Sequence, residues 1–228
     1  MLEGLKKTLE TQGYVFIPCW SAESKTEAIA KDIGKLLKIS EINGHEHISN
    51  IQSLKPRTKK DGIKNQYSGY FGLDNFPLHT DLAHWFRPPR YILLRCIVGS
   101  SSVVTKLLPS MTVRRRLGDF TICKAVVKPR KNKLGNPNCL LPVSFKESDV
   151  QALRWDSIFL VPINKNSKKI YNFLTSKDVE SDINPQLLKH PGDTLIIDNW
   201  TMLHGRSEVD NSSNDRLIER AYLTEIKI

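Results

Sequence analysis

The chain has 228 residues, 39% hydrophobic and 25% charged, with 12 Gly and 12 Pro. That composition supports a real apolar interior and excludes disordered, collagen-like and fibrous classes. Thirty-four Lys and Arg against 24 Asp and Glu leave a net charge of +10, which favours anions including nucleic acid but equally describes a solvated basic surface. The basic residues fall in short groups (Lys6 and Lys7, Arg57 to Lys60, Arg114 to Arg116, Lys128 to Lys133). No run reaches the roughly 20 apolar residues of a membrane helix, and the start has no apolar leader segment. The expectation is one cytoplasmic domain spanning residues 1–228. Cys19, Cys96, Cys123 and Cys139 lack C-x-x-C spacing and read as mostly buried free thiols.

In chain order, a short opening helix precedes a strand at GYVFIP. Residues Ala22 to Lys38 place Ile29, Ile33, Leu36 and Leu37 on one helical face, with Ser21 as the candidate cap. From Ile48 onward short apolar runs alternate with Gly, Pro, Asn and Asp. YILLRCIV, SVVTKLL, TICKAVV, SIFLVPI, TLIIDNW and RLIERAYLTEI each read as strands. Two helices interrupt them, Pro109 to Leu117 and Ser167 to Val179, the second with an apolar stripe of Ile170, Phe173 and Leu174. The pattern predicts a mostly β core with flanking helices, a sandwich or barrel with the N-terminal helices packed outside.

In FPLHTDLAHW, His79 and Asp81 stand two apart at a strand end, so an imidazole and a carboxylate leave the same face. Such a pair suits a divalent metal but needs a third ligand. GDTLIIDNWTMLHGR supplies His204 from a distant strand. In NDRLIERAYL, Arg216, Ile218, Arg220 and Tyr222 share a strand face, and an inward guanidinium wants a carboxylate. His84 is a rival ligand and more readily a pocket residue. HEH at His45 to His47 reads as a solvated loop, and His190 as turn chemistry. Trp85, Phe86, Trp155 and Trp200 default to the core, with Trp85 a weaker candidate for substrate contact. Arg154 is an anion contact or an ion pair. Arg206 enters the pocket or pairs with Asp198, and Asp198 and Asn199 read as structural hydrogen-bonders. Arg114 to Arg116 suit a helix C-terminus.

H-T-D, then D-N-x-x-x-L-H-G-R, then R-x-x-x-R twelve residues past the second histidine, resembles the taurine dioxygenase and clavaminate synthase-like family of Fe(II)/2-oxoglutarate oxygenases. The likeness runs from Tyr67 to Tyr222, through PPRYILLRC and LRWD at Leu153 to Asp156. It implies a double-stranded β-helix (jelly roll) in which His79, Asp81 and His204 hold Fe(II). It also implies that Arg216 grips 2-oxoglutarate, with Arg220 facing the substrate or helping the cosubstrate; an internal carboxylate such as Glu225, Asp156 or Asp198 could satisfy Arg220 instead. Where the family has a G-G-x-T/S pattern, this chain reads Gly99-Ser100-Ser101-Ser102, so Ser102 is the candidate cosubstrate contact and Thr105 the reserve. The implied reaction takes 2-oxoglutarate and O2, releases succinate and CO2, and hydroxylates a small molecule. Arg220, Arg154 and the net charge suggest an anionic or zwitterionic substrate, such as an amino acid. Asp81 argues against the halogenases, which lack this carboxylate. A nucleic-acid-directed oxygenase is the second reading, disfavoured because demethylases of that kind resemble R-x5-R. A non-catalytic binding protein that kept the fold is the third. Nothing in the sequence fixes an oligomeric state.

Overall fold

In chain order the strands are β1 (Tyr14–Ile17), β2 (Gly34–Leu36), β3 (Ile51–Leu54), β4 (Phe76–His79), β5 (Tyr91–Val98), β6 (Val104–Pro109), β7 (Val126–Pro129) and β8 (Leu141–Pro142). They continue as β9 (Ser144–Glu147), β10 (Val150–Leu153), β11 (Leu160–Pro162), β12 (Asn184–Leu187), β13 (Thr194–Asp198), β14 (Met202–Arg206) and β15 (Leu217–Ile226). The helices are α1 (Leu5–Gln12), α2 (Thr26–Ile33), α3 (Tyr67–Phe71), α4 (Ser110–Leu117), α5 (Asp119–Lys124) and α6 (Lys165–Thr175). This is a computed structural model describing residues 4–42, 45–63, 66–130 and 139–227. Of the basic group ending at Lys133, Lys131 and Lys133 lie outside the described residues.

A large antiparallel sheet runs β1-β13-β5-β15-β2, with β3 also pairing with β15. A smaller one runs β12-β6-β14-β4, also antiparallel. Strand alternation sorts the side chains into layers. Ile92, Leu94 and Cys96 of β5 meet Leu195, Ile197, Ile218 and Tyr222, together with Leu107 and Met202 from the small sheet, so the two sheets share an inner core. The opposite face of the large sheet, with Leu93, Ile196, Ala221 and Leu223, packs on Leu5 and Leu9 of α1 and Ile29 and Ile33 of α2. Leu78, Leu108 and Leu203 on the outer face of the small sheet meet Val113, Ile122, Ile170 and Leu174 of α4 to α6. Burial on both faces explains why β5 and β13 read as unbroken apolar runs.

The mostly β reading with flanking helices holds, and the local differences have physical causes. The helix expected over Ala22 to Lys38 is confined to α2, and Gly34 opens a strand. A Cβ on Gly34 would lie 2.2 Å from the Glu225 carbonyl oxygen, so the main chain of β15 approaches too closely for any other residue. Leu36 then joins the outer core and Leu37 the inner one, the alternation of a strand rather than a helical stripe. Ser21 caps nothing. It sits at φ +41 in a turn whose carbonyls accept from the Arg95 guanidinium. TICKAVV divides into the end of α5 and the start of β7, because Ile122 packs inward against α6 while Val127 pairs with Leu141 of β8 and Pro162 of β11. Cys19 and Cys123 are exposed rather than buried; all four thiols are free. Phe86 is 89% exposed, against its expected place in the core, whereas Trp155 and Trp200 are buried. No helix among the described residues is long and apolar enough to cross a membrane.

Candidate metal centre

β4 ends at His79, and in the ladder His79 lies directly opposite His204 of β14, so both imidazoles emerge side by side toward the inner core. Their ring centroids are 4.4 Å apart. Beyond β4 the chain is pinned by Thr80, whose N–H donates to the Trp155 carbonyl and whose hydroxyl accepts from the Trp155 N–H. Leu82 then takes a left-handed conformation, φ +54, and the turn brings Asp81 back to the two rings. Asp81 Oδ1 lies 3.4 Å from His79 Nε2 and 3.6 Å from His204 Nε2. The potential ligand atoms of the three residues all fall within 4.8 Å of one another, and all three residues are buried.

The surrounding groups orient this trio. His79 Nδ1–H donates to the Pro77 carbonyl at 2.8 Å, which fixes the ring with Nε2 facing Asp81. The Asn199 amide clasps the main chain of Asp81. Its oxygen accepts from the Asp81 N–H at 2.8 Å, and its nitrogen donates to the Asp81 and Pro89 carbonyls. Asp81 Oδ2 accepts from Arg220 Nη1 at 2.8 Å and from the Tyr222 hydroxyl at 2.9 Å. Arg220 Nη2 donates to Gln52 Oε1. Burial alone would raise the Asp81 pKa, but Arg220 and the two imidazoles hold it well below the usual carboxylate range. Burial also works against a charged His79, yet Asp81 keeps its pKa raised, while burial and the neighbouring His79 lower that of His204. Two nitrogen donors and one ionised oxygen on one face, with the second oxygen already occupied, fit a divalent metal of the two-His-one-carboxylate type.

The other residues singled out from sequence fall into distinct places. Arg216, immediately before β15, is buried, and among the described residues its guanidinium has no hydrogen-bond or ion-pair partner. Burial lowers its pKa to about 10. Burial lowers the pKa of Arg206 to about 10 as well, and the nearby Arg216 adds to that shift. Arg206 does not pair with Asp198. Its nitrogens donate to the carbonyls of Gly72, Leu73, Asp74 and Ser207, and its cation lies 3.9 Å above the Phe76 ring. Asp198 pairs instead with Arg90. Thr105 is buried, stands opposite Arg206 in the β6–β14 ladder, and makes no side-chain hydrogen bond among the described residues. Ser102 bonds with Ser100 and Ser213.

Two expectations do not match the contacts. Arg220, read as facing a substrate, has its counter-ion in Asp81, so no external anion is needed. Arg154, read as an anion contact or ion pair, donates to the carbonyls of Ala83, Trp85 and Phe86 and lies 4.5 Å above the Phe145 ring. It holds the loop after the metal motif by neutral acceptors. Trp85 belongs to that loop and packs at 5.3 Å from the His45 ring, so His45 is not merely a solvated loop residue. His84 stands outside the cluster and approaches Phe159.

Sequence reasoning missed Gln52 because β3 carries no strong strand signal. It missed Tyr67, which stacks on His79 with centroids 4.1 Å apart, since α3 is too short for a periodic pattern. Tyr222 was visible through its alternation with Arg220, though not its bond to Asp81. A cleft of about 560 Å³ lined by Leu78, Lys106, Leu174 and Val179 opens on the outer face of the small sheet, away from the imidazoles.

No family model matches the sequence. Clavaminate synthase 2 of Streptomyces clavuligerus is 26% identical over 160 residues, which cover 64% of this chain and 48% of that protein, so the chain spans about half the length of this relative. An asparagine oxygenase solved with Fe(II), 2S,3S-3-hydroxyasparagine and succinate superposes with a TM-score of 0.68 at 16% identity, covering 97% of this chain and 77% of that one. PvcB of Pseudomonas aeruginosa superposes with a TM-score of 0.67 at 14% identity, over 98% of this chain and 80% of that one; it is an Fe, alpha-ketoglutarate dependent oxygenase from an isonitrile synthetic pathway. The non-heme iron oxygenase OrfP in complex with Fe gives 0.63 at 16% identity, over 98% and 78%. A mostly β architecture is therefore the fold this chain shares with Fe, alpha-ketoglutarate dependent oxygenases.

Proposed function

We propose that the protein is an Fe(II)- and 2-oxoglutarate-dependent dioxygenase that hydroxylates an amino-acid-like small molecule and releases succinate and CO2. One observation carries the reading. His79, Asp81 and His204 form a buried cluster, and Arg216, four residues before the Arg220 that bonds Asp81, is a buried guanidinium near Cys96 of the inter-sheet core with no hydrogen-bond or ion-pair partner among the described residues. In this reading the chain works as a single domain on a double-stranded β-helix, and the three clustered residues hold Fe(II). Bound iron would supply, with 2-oxoglutarate and O2, the oxidising power that places oxygen on an unactivated C–H bond.

The remaining steps belong to the chain. Arg216 grips the distal carboxylate of 2-oxoglutarate, because a planar guanidinium matches a carboxylate bidentately and a buried one gains most from it. Thr105 is the better of the two hydroxyl candidates, since its hydroxyl is uncommitted and on the His204 face, whereas Ser102 is bonded to other serines. Tyr67 covers the ring of His79 and limits water at that ligand. With Arg220 and Arg154 bonded inside the protein, an anionic substrate loses its two candidate contacts. The amino-acid reading rests instead on the neighbours, solved with 3-hydroxyasparagine and with (3S)-hydroxy-L-Arg.

The test is anaerobic titration of the protein with Fe(II) and 2-oxoglutarate, followed by O2 and a panel of amino acids scored by succinate release. Wild-type protein should bind both and turn over with one class of amino acid. His204→Ala should abolish turnover; full activity in that variant removes His204 from the ligand set. Absence of 2-oxoglutarate binding by the wild type overturns the function.

A further inference from the structure

The two oxygens of Asp81 meet different surroundings. Oδ1 faces both imidazole Nε2 atoms, at 3.4 and 3.6 Å. Oδ2 accepts from Arg220 Nη1 at 2.8 Å and from the Tyr222 hydroxyl at 2.9 Å. An ionised carboxylate oxygen offers about two lone-pair sites, so two donors fill Oδ2. Neither donor is free to swing away. Arg220 is tied through Nη2 to Gln52 at 2.6 Å and lies 5.1 Å above the Tyr222 ring. Tyr222 is 2% exposed within the inter-sheet core. Asn199, bonded to both the N–H and the carbonyl of Asp81, removes main-chain freedom as well.

We propose that Tyr222 and Arg220 form a lock on Asp81 that restricts it to one-oxygen coordination, with Tyr222 as a positioning residue for the metal ligand. This rests on the reading of His79, Asp81 and His204 as the metal face. A carboxylate is free to bind a metal through one oxygen or two, and a second oxygen would take a position that a bidentate cosubstrate requires. Occupying Oδ2 with two donors from β15 removes that option before any ligand arrives. The same lock explains why the second arginine of R-x-x-x-R is not spare for a substrate.

Tyr222→Phe tests this most cleanly, because it deletes one hydroxyl and keeps the ring packed between the sheets. Co(II) serves as the probe, being insensitive to O2 and reporting its coordination number in visible absorption. The expected result is a Tyr222→Phe protein with wild-type circular dichroism that binds Co(II) with a changed visible spectrum. Its Co(II) form should take up 2-oxoglutarate about three- to tenfold more weakly, the scale of one lost hydrogen bond. Arg220→Lys, which keeps the charge but cannot reach Asp81 and Gln52 together, should change the spectrum in the same direction and stands in should Tyr222→Phe not fold. Wild-type spectrum and wild-type 2-oxoglutarate affinity in both variants would overturn the lock while leaving the oxygenase reading in place. Failure of the wild-type protein to take up Co(II) would overturn that reading and the lock together.

Discussion

Arg216 and Arg220 stand four residues apart at one end of the last strand, and their surroundings could hardly differ more. Arg220 has a carboxylate at 2.8 Å and an amide oxygen at 2.6 Å. Arg216 has no partner among the described residues, and its Nε is buried. Burial works against both charges. At Arg220 the neighbouring Asp81 reverses it and raises the pKa, whereas at Arg216 burial prevails and lowers it to about 10. Three other buried or half-buried guanidiniums, Arg95, Arg154 and Arg206, donate to main-chain carbonyls, so this protein ordinarily satisfies an inward arginine from within. Arg216 is the exception among the described residues, and in the proposed reading its partner is the carboxylate of 2-oxoglutarate.

Stability should separate the two arginines most strongly. Arg220→Ala leaves the Asp81 carboxylate buried without its counter-ion, and breaking such a pair costs about 3–5 kcal/mol. Arg216→Ala removes a charge that has no partner, so the metal-free, cosubstrate-free protein should stay within about 1 kcal/mol of wild type. Urea denaturation of both variants measures the difference. Equal losses would mean that Arg216 has an internal partner after all.

Ligand binding should invert that order. Arg216→Lys keeps the charge and loses the planar fork, so affinity for 2-oxoglutarate should fall more than about tenfold, or 1.4 kcal/mol. Isothermal titration of the metal-loaded protein reads it directly. Unchanged affinity in Arg216→Lys with a loss in Arg220→Lys would exchange the two roles and break the contrast.

How much of this was legible before folding follows from the range of the interactions involved. The strands of the inter-sheet core, such as YILLRCIV and TLIIDNW, announce themselves because burial on both faces leaves an unbroken apolar run. His79, Asp81 and His204 were legible as a set because the distant segments carry the right residue types in the right order, and the β4–β14 register then sets the two imidazoles side by side. The partner of Arg220 was not legible. Alternation put Arg220 and Tyr222 on one face, but only the turn at Leu82 decides that the Asp81 carboxylate swings across to meet them. Likewise the TICKAVV segment has strand composition throughout, and tertiary packing of Ile122 against α6 overrides it.

The smallest predicted effect concerns the two candidate hydroxyls for the cosubstrate. From sequence Ser102 was the candidate and Thr105 the reserve, but their hydrogen bonds are not alike. Ser102 Oγ lies 3.2 Å from Ser100 Oγ and 3.0 Å from Ser213 Oγ, a cluster that ties the start of β6 to the turn preceding Arg216. Thr105 pairs with Arg206 in the ladder, two residues along the same face from Leu107 and its partner His204, and its hydroxyl is uncommitted. A donor held by two neighbours has little left for a ligand, whereas a buried free hydroxyl gains a full bond when a carboxylate approaches. Thr105→Val, nearly isosteric, should therefore weaken 2-oxoglutarate binding about three- to tenfold, and Ser102→Ala should change it by less than about twofold. The same titration used for Arg216→Lys resolves both. A loss in Ser102→Ala matching that in Thr105→Val would place the serine cluster in the cosubstrate site and extend the unsatisfied region around Arg216 into the loop before β6.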